Sequence, residues 1–128
     1  MTDLAEMLRT LECTVREQPY VYAVAERQRL AELPFAAAVE EAEGWTVVLE
    51  QVEADNAGLR YDFVAAWITL TVHSSLQAIG LTAALSKALG DAQISCNMLA
   101  GMHHDHILVP FHRKDDALAA LRDLQRSS

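Results

Sequence analysis

Two cysteines, three prolines and five glycines in 128 residues leave the chain with little that staples or breaks it. Cys13 and Cys96 have no CxxC spacing, and two isolated cysteines do not make a disulfide framework, so a reducing cytoplasm fits best. Cations are scarce too: Lys and Arg number 10 against 18 Asp and Glu, a net charge of -8. A chain of that sign lacks the positive footprint that draws phosphate backbones. Nucleic acid and anionic membrane surfaces are therefore not expected partners. No apolar run approaches the roughly 20 residues that span a bilayer. Met1 to Arg9 is acidic and amphipathic and has no basic segment leading into an apolar one, so it does not read as a signal peptide.

What is present is a core: 52% of the residues are apolar. Met1 to Arg9 reads as a short helix. Thr10 to Arg16 and Tyr20 to Ala25 are β-prone and separated by the polar turn Glu17-Gln18-Pro19. Phe35 to Glu40 and Trp45 to Glu50 flank Glu41-Ala42-Glu43-Gly44, a hairpin signal in which Gly44 can take positive φ. Gln51 to Gly58 reads as a short helix closed by Gly58.

The second half carries a sharper pattern. In Trp67 to His73, Ile68, Leu70 and Val72 point one way and Trp67, Thr69, Thr71 and His73 the other, as in a half-buried strand. Ser74 and Ser75 are N-cap candidates for a helix whose stripe is Ala78, Leu81, Leu85 and Ala88, with Gly90 at its end. Ile94 to Ala100 and Asp105 to Phe111 alternate again across a turn at Gly101 to His103. Lys114 to Arg126 is an amphipathic helix with Asp115 and Asp116 near its N-terminus. The order strand, helix, strand, strand, helix predicts the ferredoxin-like α+β arrangement, helices on one face of an antiparallel sheet. The last strand of that pattern is missing, so an upstream strand must supply it, with Tyr20 to Ala25 the candidate. The two halves should then be interleaved.

The run WITLTVHSSLQAIGLTAALSKALGDAQISCNMLAGMHHDHILVP resembles an ACT domain. The features that carry the resemblance are a strand ending in a polar turn, the early helix glycine in Gly80-Leu81, the segment ALGDAQISCNML, and the hairpin after it. The likeness is closest to the paired ACT domains of aspartokinase regulatory regions and of small amino-acid sensors. It covers Trp67 to Pro110, extends loosely over Asp115 to Leu124, and is weaker in the first half. It implies two interleaved ferredoxin-like (βαββαβ) ACT domains, residues 1–62 and 63–128. It also implies a regulatory protein that is not an enzyme, needs no cofactor, binds an amino acid or similar small metabolite, and self-associates as a dimer or passes its signal to a partner protein. Carried over by position, the ligand would meet His73, Ser74, Ser75, Gly80 and Leu81 of the strand–helix loop and Ile94, Ser95 and Asn97 of the following strand. The family's common Asp-x-Pro-Gly turn is absent here.

The residues themselves allow the same location. Helix N-termini offer unpaired N–H groups to a carboxylate, and serine hydroxyls can add donors; the alternative is that Ser74 and Ser75 simply cap the helix. Asp62 could meet a ligand ammonium or be a solvated loop aspartate. The cluster His103, His104, Asp105, His106 and His112 makes a rival signal. His104 and His106 share a strand face, the face of His73, and such a trio could bind zinc, nickel or copper, although the usual zinc spacings are missing. The other rival is an interaction module: Trp67, Leu99 and Leu108 fall on the far face and would be exposed in a lone sheet, unless the first half or a second copy covers them.

Overall fold

Strand alternation and helical periodicity place nearly every element, and packing decides which strands meet. The structure, a computed structural model, describes residues 4–72 and 80–128. In chain order these form α1 (Leu4–Thr10), β1 (Glu12–Val15), β2 (Tyr20–Ala25), a 3₁₀ turn (Arg27–Glu32), β3 (Ala37–Glu41), β4 (Gly44–Glu50), α2 (Gln51–Asn56), β5 (Tyr61–Thr71), α3 (Leu81–Asp91), β6 (Asn97–Ala100), β7 (Asp105–Pro110) and α4 (Lys114–Arg126). They divide into two units: an end unit of residues 1–16 and 67–128, and a middle unit of residues 17–66.

In the middle unit the strand order is β3-β4-β2-β5. Val21, Ala23 and Ala25 of β2 alternate onto one face with Val47 and Leu49 of β4, where Leu33 and Ala54 of α2 complete a buried core. The hairpin expected at Glu41 to Gly44 forms, with Glu41 opposite Gly44 and Gly44 at φ 139. Only a 3₁₀ turn lies between β2 and β3, and Arg29 Nη2 ties it to α2 by donating to the Ala57 carbonyl at 2.9 Å. Where β2 meets β5, Val21 pairs with Val64 but Ala23 pairs with Tyr61. Asp62 and Phe63 therefore both stand against Tyr22, a β-bulge in β5.

In the end unit the order is β1-β5-β7-β6. Here one expectation is corrected. The strand that completes this sheet is β1, antiparallel to β5 with Cys13 opposite Leu70, and not Tyr20 to Ala25. The reason is that Val21 and Ala23 are already buried in the middle unit, flanked by β4 and the start of β5. Ile68 and Leu70 of β5 and Ile107 and Val109 of β7 are fully buried, as are Leu81, Leu85 and Leu89 of α3 and Ala117 and Leu121 of α4. α1, α3 and α4 pack against one another.

Helix ends supply further corrections. α3 runs through Gly90 to Asp91, and Gln93, not Gly90, takes the left-handed conformation at φ 60. Ile94 N–H donates back to Leu89 O at 2.9 Å, and the Arg113 guanidinium reaches the carbonyls of Ala92 and Gln93, which holds a non-glycine residue in that conformation. The following strand starts at Asn97 rather than Ile94. Of the far-face residues that a lone sheet would expose, Trp67 and Leu108 are buried within the single chain and Leu99 is half-buried.

One side chain fastens α1 to the end unit. Gln125 Nε2 on α4 donates to Leu8 O at 2.9 Å, a carbonyl in the last turn of α1 that also accepts from Leu11 N–H at 3.4 Å, and to Leu11 O at 2.7 Å just past the helix end. We expect Gln125→Ala to lower stability by about 1–3 kcal/mol, read as a lower urea midpoint at unchanged slope. An unchanged midpoint would mean that α1 is held by apolar packing alone.

Candidate functional site

Alternation along β5 sends Trp67, Thr69 and Thr71 to one face of the end unit's sheet, and β7 brings His106 beside them. The Trp67 indole N–H lies 3.2 Å from both Thr69 Oγ1 and His106 Nδ1. Thr69 Oγ1 is 3.0 Å from the same Nδ1. An indole N–H can only donate, so His106 Nδ1 is an acceptor and the neutral ring carries its proton on Nε2. Thr71 Oγ1 is 3.3 Å from His104 Nδ1. The Arg16 guanidinium sits 4.3 Å from the Trp67 ring centroid, and the His106 ring lies 5.2 Å from it on centroids. Burial first, then the positive charge of Arg16 and the neighbouring His104, pushes His106 below the ordinary histidine range, with Asp105 pulling weakly the other way.

This geometry bears on the metal reading. His104 and His106 do share a face, with ring centroids 6.5 Å apart. Among the described residues no group of three or more His, Cys, Asp or Glu side chains is placed to hold a metal ion. His73, the third member of the expected trio, lies outside the described residues. With Nδ1 of His106 engaged by Trp67 and Thr69, its Nε2 bears a hydrogen and cannot ligate without a change of tautomer.

The expected ligand residues separate into groups. His73, Ser74 and Ser75 lie outside the described residues. Gly80 stands at the N-cap of α3 at φ 87, a conformation suited to glycine, and brings no capping side chain. Leu81 is 1% and Ile94 4% exposed, so both side chains belong to the core and only their backbones could meet a ligand. Ser95 and Asn97 are exposed. Asn97 pairs with Leu108 and Leu99 with His106, which sets Asn97 on the His106 face of the sheet. Asp62 is exposed and belongs to the middle unit, where it lines a cleft of about 690 Å³ with Tyr22, Val24, Arg60 and Phe63. Neither that cleft nor the Trp67–Thr69–His106 chain was anticipated from sequence. The i, i+2 spacing of Trp67 and Thr69 is a trace of the second; the bulge that builds the first has none.

Two ACT domain models match the chain, one over residues 1–66 and the other over residues 63–123. The chain belongs to the ACT domain family. It is built of two tandem ferredoxin-like ACT domains of α+β architecture. No curated protein matches this ACT chain. Among solved structures, it is similar to a protein of unknown function from Vibrio cholerae, 36% identical over 95% of each chain with a TM-score of 0.87. It shares its fold with a protein from Agrobacterium tumefaciens at 13% identity, covering 90% of this chain and 89% of that one, TM-score 0.71. It also shares its fold with the regulatory subunit of aspartate kinase from Thermus thermophilus at 10% identity, covering 88% and 95%, TM-score 0.60.

The His106 geometry gives a pH prediction for the ACT protein. The folded state holds His106 below its unfolded value of 6.5, so the unfolded chain binds this proton more readily. The contribution to stability is complete above that value and is lost as pH falls through it and on through the lower folded value. The melting temperature of the wild type should therefore drop more steeply between about pH 7 and 5 than that of His106→Gln, whose amide oxygen can still accept from Trp67. Equal slopes in the two proteins would remove His106 from the account.

Proposed function

We propose that this ACT protein is a regulatory, non-catalytic binder of an amino acid or a similar small metabolite. The observation that carries the reading is the pair of ACT domain matches, which together run from residue 1 to residue 123. The ligand's carboxylate would meet the N-terminus of α3, where Gly80 leaves the first-turn N–H groups without a side-chain cap and the helix dipole favours an anion. Ser74 and Ser75 would add hydroxyl donors, and the backbones of His73, Leu81 and Ile94 with the side chains of Ser95 and Asn97 would complete the contacts. Binding would be passed on as a change of shape or association, to a second copy of the chain or to a partner protein.

Two further features suit this reading. No helix among the described residues is long and apolar enough to cross a membrane. Cys13 and Cys96 are free, and partial burial pushes both thiols up, away from the reactive thiolate. Both fit the reducing compartment proposed for the protein.

The test is a thermal-shift screen of metal-stripped protein against the twenty amino acids, with zinc, nickel and copper as separate arms. A ligand at one hundred times its dissociation constant stabilises by about 2.7 kcal/mol, and Ser74→Ala and Asn97→Ala should each reduce the shift. No response to any amino acid at millimolar concentration would sink the proposal, and a response to metal alone would replace it with the histidine reading.

A further inference from the structure

The clamp made by Gln125 has a second effect within the end unit. Its amide nitrogen holds Leu8 O and Leu11 O, and this sets the last turn of α1 against one face of α4. Arg122, Gln125 and Arg126 stand together on that face, because residues three and four apart are neighbours on a helix surface. Arg9 belongs to the last turn of α1. The clamp thus brings guanidinium groups from two helices to one cleft of about 460 Å³, lined by Arg9, Arg122, Gln125 and Arg126. All three arginines are exposed and open to a ligand.

Such a gathering stands out in a chain with 10 Lys and Arg and a net charge of -8. The helix dipole accounts for part of it, since Arg9 and Arg126 each lie in a last turn, where a cation is favoured. It does not account for Arg122, which stands a turn earlier, or for the meeting of the two helices' arginines on one cleft. Arg126 is paired with Asp123, whereas Arg9 and Arg122 form no ion pair among the described residues. Like charges brought together repel one another, and an anion between them turns that cost into attraction. Three guanidinium groups against the one carboxylate of Asp123 leave two positive charges. A phosphate monoester carries about two negative charges near neutral pH, and guanidinium forks match its oxygens in pairs. Gln125 has given its amide hydrogens to α1, so recognition falls to the arginines. The patch suits one phosphate group and not a phosphate backbone, which the acidic remainder of the chain repels.

We propose that the cleft between α1 and α4 binds the phosphate monoester group of a small soluble metabolite. Arg9 and Arg122 clasp the phosphate from opposite helices, and Arg126 turns from Asp123 toward it or supports it from beside. The site shares no residue with the one proposed at α3, and the inference does not rest on amino-acid binding.

Titration calorimetry of the full chain with glycerol phosphate tests it, at fixed ionic strength and about pH 7.5, above the second phosphate pKa of about 6. Glycerol sulfate keeps the shape with one charge fewer and should bind about tenfold more weakly. Arg9→Gln and Arg122→Gln should each weaken glycerol phosphate by about tenfold or more, since a charge-assisted contact is lost. Arg27→Gln removes the same charge from an exposed position in the middle unit and should leave binding unchanged. That pattern would support the cleft. Equal weakening in Arg27→Gln would reduce the effect to net charge and overturn the proposal. Equal affinity for phosphate and sulfate in the wild type would overturn it without recourse to any variant, as would the absence of binding at millimolar concentration. Sedimentation with vesicles containing phosphatidic acid, by protein that does not bind glycerol phosphate, would replace the soluble ligand with a lipid headgroup and overturn it too.

Discussion

The extra residue at Asp62–Phe63 is the constraint on which the middle unit depends. Tyr61 and Val64 both pack against the same core although they are an odd number of positions apart. In a regular strand, residues so spaced face opposite sides of the sheet. The bulge absorbs the difference and lets Tyr61 reach α2 while Val64 stays under β2. Without it, one of the two would turn outward, the Tyr61 bonds to Asp55 and Gln51 would be lost, and Asp62 would no longer share a cleft with Tyr22. Structure and chemistry in this unit thus rest on one local irregularity of the backbone.

In the end unit the corresponding role falls to the direction of a hydrogen bond. The indole of Trp67 is nearly buried and has a single donor. Thr69 and His106 take it up, and that fixes the histidine as neutral with its proton on Nε2. Arg16 over the Trp67 ring adds a positive charge that a protonated His106 would have to oppose. The histidines that look most like chemistry in the sequence are therefore, at His106 at least, part of what seats a tryptophan on the sheet.

How much of this was legible beforehand follows the period of each signal. Trp67 to Thr71 alternates without interruption, so its two faces, and the placing of His104 and His106 with Thr69 and Thr71, could be read directly. The Gly44 hairpin and the Gly58 helix end are carried by residues whose conformational freedom is itself the signal. Three things were not legible for physical reasons. A bulge changes the backbone without changing residue types. Gln93 can stand where glycine was expected because Arg113, distant in sequence, holds the neighbouring carbonyls. The partner of β5 depends on which of two β-prone segments is already committed to another core, a tertiary fact that propensity does not contain. Of the residues expected to bind a ligand, Leu81 and Ile94 show the same limit: their positions follow from the family pattern, but burial leaves only their backbones available.

The route of the chain also sets an order on how the units can form. The middle unit is one continuous stretch, residues 17–66, and its hairpin and helix contacts are local. The end unit needs β1 against β5 and Gln125 against Leu8, a separation of 117 residues in the second case. Contacts of long sequence separation carry their closure entropy before they return any energy, so they form late unless an intervening stretch is already folded and shortens the loop. A folded middle unit does that for β1 and β5, since Tyr20 and Val21 already pair with Ala65 and Val64 a few residues away. The bulged end of β5 is thus the part of the strand that can be in place before the α3 side of the molecule is assembled.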